Sequence, residues 1–436
     1  MRRAAIALVL VLATACGGAS TGAEGPNRAT VRFLVFGDPA ELGAFREVIT
    51  AFEGTQDEVD VQLIEASDRT DLIARLSTSI AGGSPPDVFL LNYRYYGQFA
   101  ARGAIEGIDE RLQDSDVLDK QDYYPQALEA FRWKGQLLCM PQNISSLVVY
   151  YNRDLFTTYG VAEPKPGWTW NDLLDAAGQL TRDARGNVVR AGETEGTSTV
   201  ATYGLGVEPS LIRIAPFVWS NGGELVDDEQ DPTRLTLDTP EAREALQAFL
   251  SLRLAYGVIP SDEEVEAEDD ETRFANGRLA MLLSSRRATP TLRDVARFDW
   301  DVAPLPVFDR PAGILHSDAY CITSASARKA AAWRFVEFAN SEQGQRIVAR
   351  TGRTVPSLID VAESRDFLDP AARPRNSQVF LDGIPTIRRV PTVSTWPEIE
   401  DATAGILENA LYLGRPVDDV IRELDAVTRP LFARGE

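Results

Sequence analysis

Val31-Arg32-Phe33-Leu34-Val35-Phe36 is a run of β-branched and aromatic residues that stops at Gly37-Asp38-Pro39. Beyond that turn Leu42, Phe45, Val48, Ile49 and Phe52 recur at helical spacing, so the pattern predicts a strand over 31–36 and a helix over 41–52. The same phrase repeats, with a strand over Val59 to Ile64, a helix over Thr70 to Ala81, and a buried strand over Asp87 to Leu91 after Gly82-Gly83-Ser84-Pro85-Pro86. Strand and helix in alternation argue for an α/β fold with a parallel sheet covered by helices. In open sheets of this kind ligands gather beyond the carboxyl ends of the strands. That rule singles out Gly37-Asp38 and Asn92-Tyr93-Arg94. Asp38 and Asn92 bring side chains able to bind polar groups, whereas Gly37 reads equally well as a turn residue chosen for backbone geometry.

A new segment opens at Gln136 to Pro141 and continues through the apolar run Leu147 to Tyr151. Pro164, Pro166 and Trp168 then lead into a helix that Asn171 is placed to cap. Arg185 to Thr199 is rich in Gly, Thr and charge and reads as a surface loop or hairpin. The acidic run Asp262 to Glu271 lacks the alternating ligands and central glycine of an EF-hand loop, so it reads as a solvated helix start. From Pro397 the chain reads as helical.

The 436 residues favour two or three cooperating units, because single cores stop growing near ~250–300 residues. A net charge of −21 repels phosphate backbones and disfavours nucleic-acid binding. Forty of the 44 basic residues are arginine, spread along the chain with no basic patch. One histidine, His316, and three cysteines exclude a Cys/His zinc cluster. No metal, no cofactor and no catalytic residue is expected.

Met1-Arg2-Arg3 followed by the apolar stretch Ala4 to Ala15 has the form of a signal peptide, too short to span a bilayer. Leu12-Ala13-Thr14-Ala15-Cys16 resembles a bacterial lipobox, which implies lipid modification of Cys16. It departs from the usual pattern in placing Ala13, not leucine, three before the cysteine. The division expected is signal peptide 1–15 and flexible tether 16–29, small, polar and Gly-rich, ahead of a folded body. The protein would be exported and lipid-anchored on the outer face of the cytoplasmic membrane.

Several stretches of the body carry a family likeness in order. Ala81-Gly82-Gly83-Ser84-Pro85-Pro86-Asp87-Val88, Pro141-Gln142-Asn143-Ile144-Ser145-Ser146, Tyr150-Tyr151-Asn152-Arg153-Asp154-Leu155-Phe156 and Trp168-Thr169-Trp170-Asn171-Asp172-Leu173 are followed by Asn221-Gly222-Gly223-Glu224-Leu225, Phe274 to Met281 and Ala303-Pro304-Leu305-Pro306. Together they resemble the sugar-type extracellular solute-binding lipoproteins of ABC importers, the maltose-binding-protein-like family. The resemblance covers Val31 to the C-terminus. It implies two α/β lobes of the periplasmic-binding-protein type, joined by a multi-segment hinge that closes on one solute. Lobe 1 would be 30–140 plus 322–353 and lobe 2 would be 141–317 plus 357–436, with crossings near 139–147, 314–322 and 352–357.

Sugars are held by aromatic faces and planar polar groups in a mostly preformed cleft. Position by position, the resemblance implies ligand contacts from Asp38, Asn92, Tyr93, Arg94, Asn143, Ser145, Trp219, Asn221, His316, Asp318, Arg353 and Trp396. Trp396 is the chief candidate for a stacking aromatic. Many relatives carry Gly-Pro-Trp after Ala280-Met281, but this chain reads Leu282-Leu283-Ser284-Ser285-Arg286-Arg287. Ser284 and Ser285 therefore join the candidates, and the departure leaves room for a smaller, more polar or phosphorylated solute. The family makes neighbours of the segments carrying Cys139 and Cys321; a disulfide and two buried thiols both satisfy that placement.

The function implied is a monomeric, non-enzymatic receptor that passes a carbohydrate to the transmembrane permease subunits of an ABC importer. A polyol or glycerophosphate-type solute is the alternative. With no P-loop in the chain, the energy comes from elsewhere. A two-carboxylate glycoside hydrolase and a sensor without transport are the rival classes.

Overall fold

The structure is a computed structural model that describes residues 28–192 and 200–436. The signal peptide, Cys16, most of the tether and the end of the Arg185–Thr199 loop lie outside the described residues. In chain order come β1 (Ala29–Val35), α1 (Pro39–Glu53), β2 (Val59–Glu65), α2 (Arg69–Ala81), β3 (Val88–Asn92) and α3 (Tyr93–Ala100). These follow the hydrophobic pattern closely. Next are β4 (Cys139–Pro141), β5 (Leu147–Asn152), α4 (Trp170–Leu180), β6 (Arg182–Asp183), β7 (Val200–Gly206), α5 (Leu211–Ser220) and α6 (Pro240–Leu250). After them run β8 (Leu279–Ser285), β9 (Trp300–Ala303), β10 (Gly313–Ile314), β11 (Asp318–Ile322), β12 (Ile387–Arg388), α7 (Trp396–Leu413) and α8 (Val417–Phe432).

Local chemistry sets the ends of these elements. Asp38 Oδ1 accepts from the Glu41 amide at 2.9 Å and Pro39 opens α1, so a capping acid and a preset φ start the helix whose Phe45, Val48, Ile49 and Phe52 are buried. Asn171 does not cap α4. Thr169 takes that place, its Oγ1 accepting from the Asp172 amide (3.2 Å) while the Asp172 carboxylate accepts from the Thr169 amide (2.7 Å). A reciprocal capping box satisfies two free amides at once; Asn171 sits exposed in the first turn. The acidic run divides into two short helices, Asp262–Ala267 and Asp270–Ala275, capped by Ser261 and Asp269.

Two five-stranded sheets hold the molecule together, in the orders β2-β1-β3-β11-β4 and β9-β5-β8-β7-β6. The first is mixed, whereas the local alternation predicts an all-parallel sheet. β1, β2 and β3 are parallel, but β11 returns from far along the chain to pair antiparallel with both β3 and β4. Cys139 and Cys321 stand directly opposite on β4 and β11 and are joined in a disulfide, with Cα atoms 4.4 Å apart. Closing a loop of 182 residues restricts the unfolded chain by about 5 kcal/mol in the chain-entropy account.

Three segments pass between the sheets, and they hydrogen-bond to one another. Residues 142–146 run from β4 to β5, residues 315–317 run from β10 to β11, and residues 354–357 form the third pass. The Ser145 amide donates to the His316 carbonyl and the His316 amide to the Ser145 carbonyl, each at 2.8 Å. On the other side the Ile144 amide donates to the Val355 carbonyl at 2.9 Å. The first crossing is thus the middle strand of a short ribbon that forms the hinge.

Candidate functional site

The carboxyl ends of β1 and β3, the hinge ribbon and the end of β8 converge on one cavity of about 70 Å³, walled among others by Phe36, Asn92, Asn143, Ser285, Asp318 and Arg353. Ligand pockets usually span ~300–1,000 Å³, so admitting a sugar-sized solute requires the sheets to separate about the ribbon. At its centre the Asp318 carboxylate is held by amides from two sides. Asn92 Nδ2 donates to Oδ1 at 3.1 Å and Asn143 Nδ2 to Oδ2 at 3.4 Å, while Asn143 Oδ1 accepts from the Asp318 amide at 3.3 Å. Asn92 can do this because it also caps α3, its Oδ1 accepting from the Arg94 amide.

Arg353 joins this end to α1. Its guanidinium pairs with Asp38, and its Nε lies 2.7 Å from Glu41 Oε2. Glu41 is 6% exposed, and burial pushes its carboxyl up to about 7, opposed by Arg353 and assisted by Asp318 and Asp38. Gly37 is explained by the same group, since a β-carbon there would meet Glu41 Oε2 at 2.6 Å. His316 is held well below its usual 6.5, by burial first and then by Arg213, Arg94, Arg69 and Arg287. Its imidazole is therefore neutral at neutral pH.

The structure brings together Asn92, Asn143, Ser145, Ser285, His316, Asp318 and Arg353 on the cavity wall, with Asp38 holding Arg353 from beside it. Other expected contacts lie elsewhere. Ser284, like Ser285, is buried, but successive strand side chains point to opposite faces and only Ser285 reaches the cavity. Tyr93 is buried, with its phenol pushed far up by burial. Arg94 Nη1 is spent on Glu400 Oε2 at 2.5 Å. Trp219 is buried beneath the Arg388 guanidinium, 4.7 Å from its ring centroid. Asn221 Nδ2 donates to the Glu241 carbonyl (2.8 Å), joining α5 to α6. Trp396, expected to stack on solute, is 0% exposed. It opens α7, packs beside Phe432 and donates from Nε1 to Glu400 Oε1 at 2.7 Å, so it offers no free face and instead supports the carboxylate that holds Arg94.

The sequence did not single out Glu41, Arg69 or Arg213, whereas Arg287 belongs to the stretch that leaves room for a phosphorylated solute. Arg69 was within reach of the same strand-end rule, because Ser67-Asp68-Arg69 follows β2 directly. Arg286 lies at the cavity wall with most of its fork already engaged. Its Nε donates to the Gly352 carbonyl (2.7 Å) and its Nη1 to Ser377 Oγ (3.0 Å), with Phe367 and Phe380 rings 4.6 and 4.9 Å from the guanidinium. Burial lowers it to about 9.

Two lobes hinged on three crossings around a polar cavity define the class of periplasmic-type solute-binding proteins. Residues 47–375 match the family model described as bacterial extracellular solute-binding protein, and the chain belongs to that family. Its members are binding proteins. A Brucella abortus protein described as a binding protein is 23% identical over 407 residues, covering 92% of each chain. The mannitol-binding protein of Pseudomonas aeruginosa is 24% identical over 428 residues, 94% of this chain and 93% of its own. Among solved structures, an ABC substrate-binding protein of Listeria monocytogenes in complex with cycloalternan superposes with a TM-score of 0.82 at 25% identity, covering 93% of this chain and 99% of that one.

Proposed function

We propose that the protein is a non-enzymatic, monomeric receptor that captures a carbohydrate or related polyol outside the cell and delivers it to the permease of an ABC importer. One observation carries this reading: the hydroxyl-binding groups Asn92, Asn143, Ser145 and Ser285 meet across a hinge ribbon. Amides and hydroxyls there can pair with sugar hydroxyls from both lobes, which is what makes a closed state depend on the solute. The lobe boundaries proposed are 30–140 plus 322–353 and 141–317 plus 357–436, with the start of β11 from Asp318 added to the first lobe, whose sheet it joins. Export and lipid anchoring at Cys16 complete the proposal, read out by the membrane fraction, from which Cys16→Ser should release the protein.

The test is a thermal-shift panel of mono-, di- and oligosaccharides, polyols and their phosphates on the chain lacking residues 1–15. A ligand at 100 times its dissociation constant stabilises the native state by ~2.7 kcal/mol. The expected result is a dose-dependent rise in melting temperature with the solute recovered intact. Hydrolysis of the solute would move the protein to the glycosidase class.

A further inference from the structure

The molecule carries −21 net charge, yet four guanidiniums gather at one end of the cleft. Arg69 and Arg287 line the cavity wall. Arg94 and Arg213 lie off that wall, in α3 and α5, and with Arg69 and Arg287 they add to the burial that holds the His316 imidazole low. They come from both sides of the hinge: Arg69 opens α2 and Arg94 lies in α3, while Arg213 is in α5 and Arg287 follows β8.

Their partners do not use all their donors. Arg69 has no ion pair among the described residues; its guanidinium rests 5.3 and 5.6 Å from the Phe36 and Tyr95 ring centroids, and its buried Nε makes no hydrogen bond. Arg213 is 5% exposed and sends Nε (3.1 Å) and Nη2 (3.0 Å) to the same oxygen of Glu208, leaving Nη1 buried and unpartnered. His316 Nε2 is likewise buried without a partner. Arg287 is largely exposed and 3.6 Å from Glu271. Of the four, Arg94, Arg213 and Arg287 each face one carboxylate, Glu400, Glu208 and Glu271, and Arg69 faces none, while the Asp318 carboxylate on the same wall is held by amides. Buried charged donors left unmatched are costly, and guanidinium forks match the oxygens of phosphate and carboxylate groups.

We infer that the solute carries an oxyanion, a phosphate or a carboxylate, received between Arg69 on one lobe and Arg287 on the other, with Arg213 behind them and the hydroxylated body of the solute against Asn92, Asn143 and Asp318. This deepens the receptor reading and rests on it.

Calorimetric titration of the chain lacking residues 1–15 with matched pairs tests it: glycerol against glycerol 3-phosphate, and glucose against glucose 6-phosphate and glucuronate, at low and high salt. The expected result is at least tenfold tighter binding of an anionic member, weakened by salt. The phosphate and glucuronate arms tell the two oxyanions apart. Because Arg213 is buried and its loss can unfold the chain, the variants are Arg69→Gln and Arg287→Gln, checked for an unchanged melting temperature without ligand. Each should weaken the anionic member about tenfold or more and leave its neutral counterpart within twofold. Binding of neutral members alone, or anion affinity indifferent to both substitutions, overturns the inference and leaves the receptor reading standing. Binding of neither class to a folded sample overturns both.

Discussion

Burial fixes protonation side chain by side chain, and Asp270 shows it outside the cleft. Its carboxyl is pushed up to about 7 by burial, with Arg273 and the Val207 amide pulling down and Asp269 and Glu268 pushing further up. Between about 4 and 7 the folded chain therefore holds a proton that the unfolded chain has released, so stability falls as pH rises through that window and levels off above it. Asp270→Asn keeps an acceptor for the Val207 amide and removes the ionisation. It should equal the wild type near pH 4 and exceed it by on the order of 1–2 kcal/mol at pH 8, a figure discounted for partial exposure. Urea midpoints at the two pH values check this; an equal difference at both would contradict it. Glu41 follows the same sign, but its contact with Arg353 ties its titration to the cleft.

At the scale of elements, helix starts and strand ends coincide at the site. Asp38 and Asn92 were legible in the sequence because a strand, a turn and a polar cap form a local pattern, and the caps of α1 and α3 face the cleft. Asn143, His316 and Asp318 were legible only through resemblance, since the ribbon that joins them is made by pairing between distant segments. What stayed hidden depends on long-range packing. Nothing local says that Trp396 turns into the core, that Arg286 reaches Gly352, or that β11 inserts antiparallel between β3 and β4. Close packing also explains Gly97 in α3, where a β-carbon would lie 2.7 Å from the Val393 carbonyl oxygen. Gly97→Ala should cost about 1–3 kcal/mol by forcing backbone apart. Gly43→Ala in α1, with nothing within 4 Å of the added carbon, should be neutral or stabilising by up to ~1 kcal/mol. Denaturant midpoints of the pair decide; equal effects would refute the close-approach account.

The whole molecule combines a stiff frame with a soft middle. The disulfide between β4 and β11 staples one sheet beside the hinge, and Arg286 ties the end of β8 to Gly352 at the third crossing. Among the described residues the ribbon and side-chain contacts resist rotation between the sheets, and a cavity of about 70 Å³ is small for a sugar-sized solute, so entry calls for opening. Arg94 and Glu400, at 12% and 15% side-chain exposure, couple α3 to α7 across this region, where α7 also packs against α5 and α6. The receptor reading requires the free chain to stand open about this hinge, to admit a solute and to close over it. Small-angle scattering of the chain lacking residues 1–15, titrated with the ligand found in the thermal-shift panel, tests it most directly. The expected result is a radius of gyration that falls on addition of ligand and saturates at one solute per chain. A radius unchanged at saturation would contradict it.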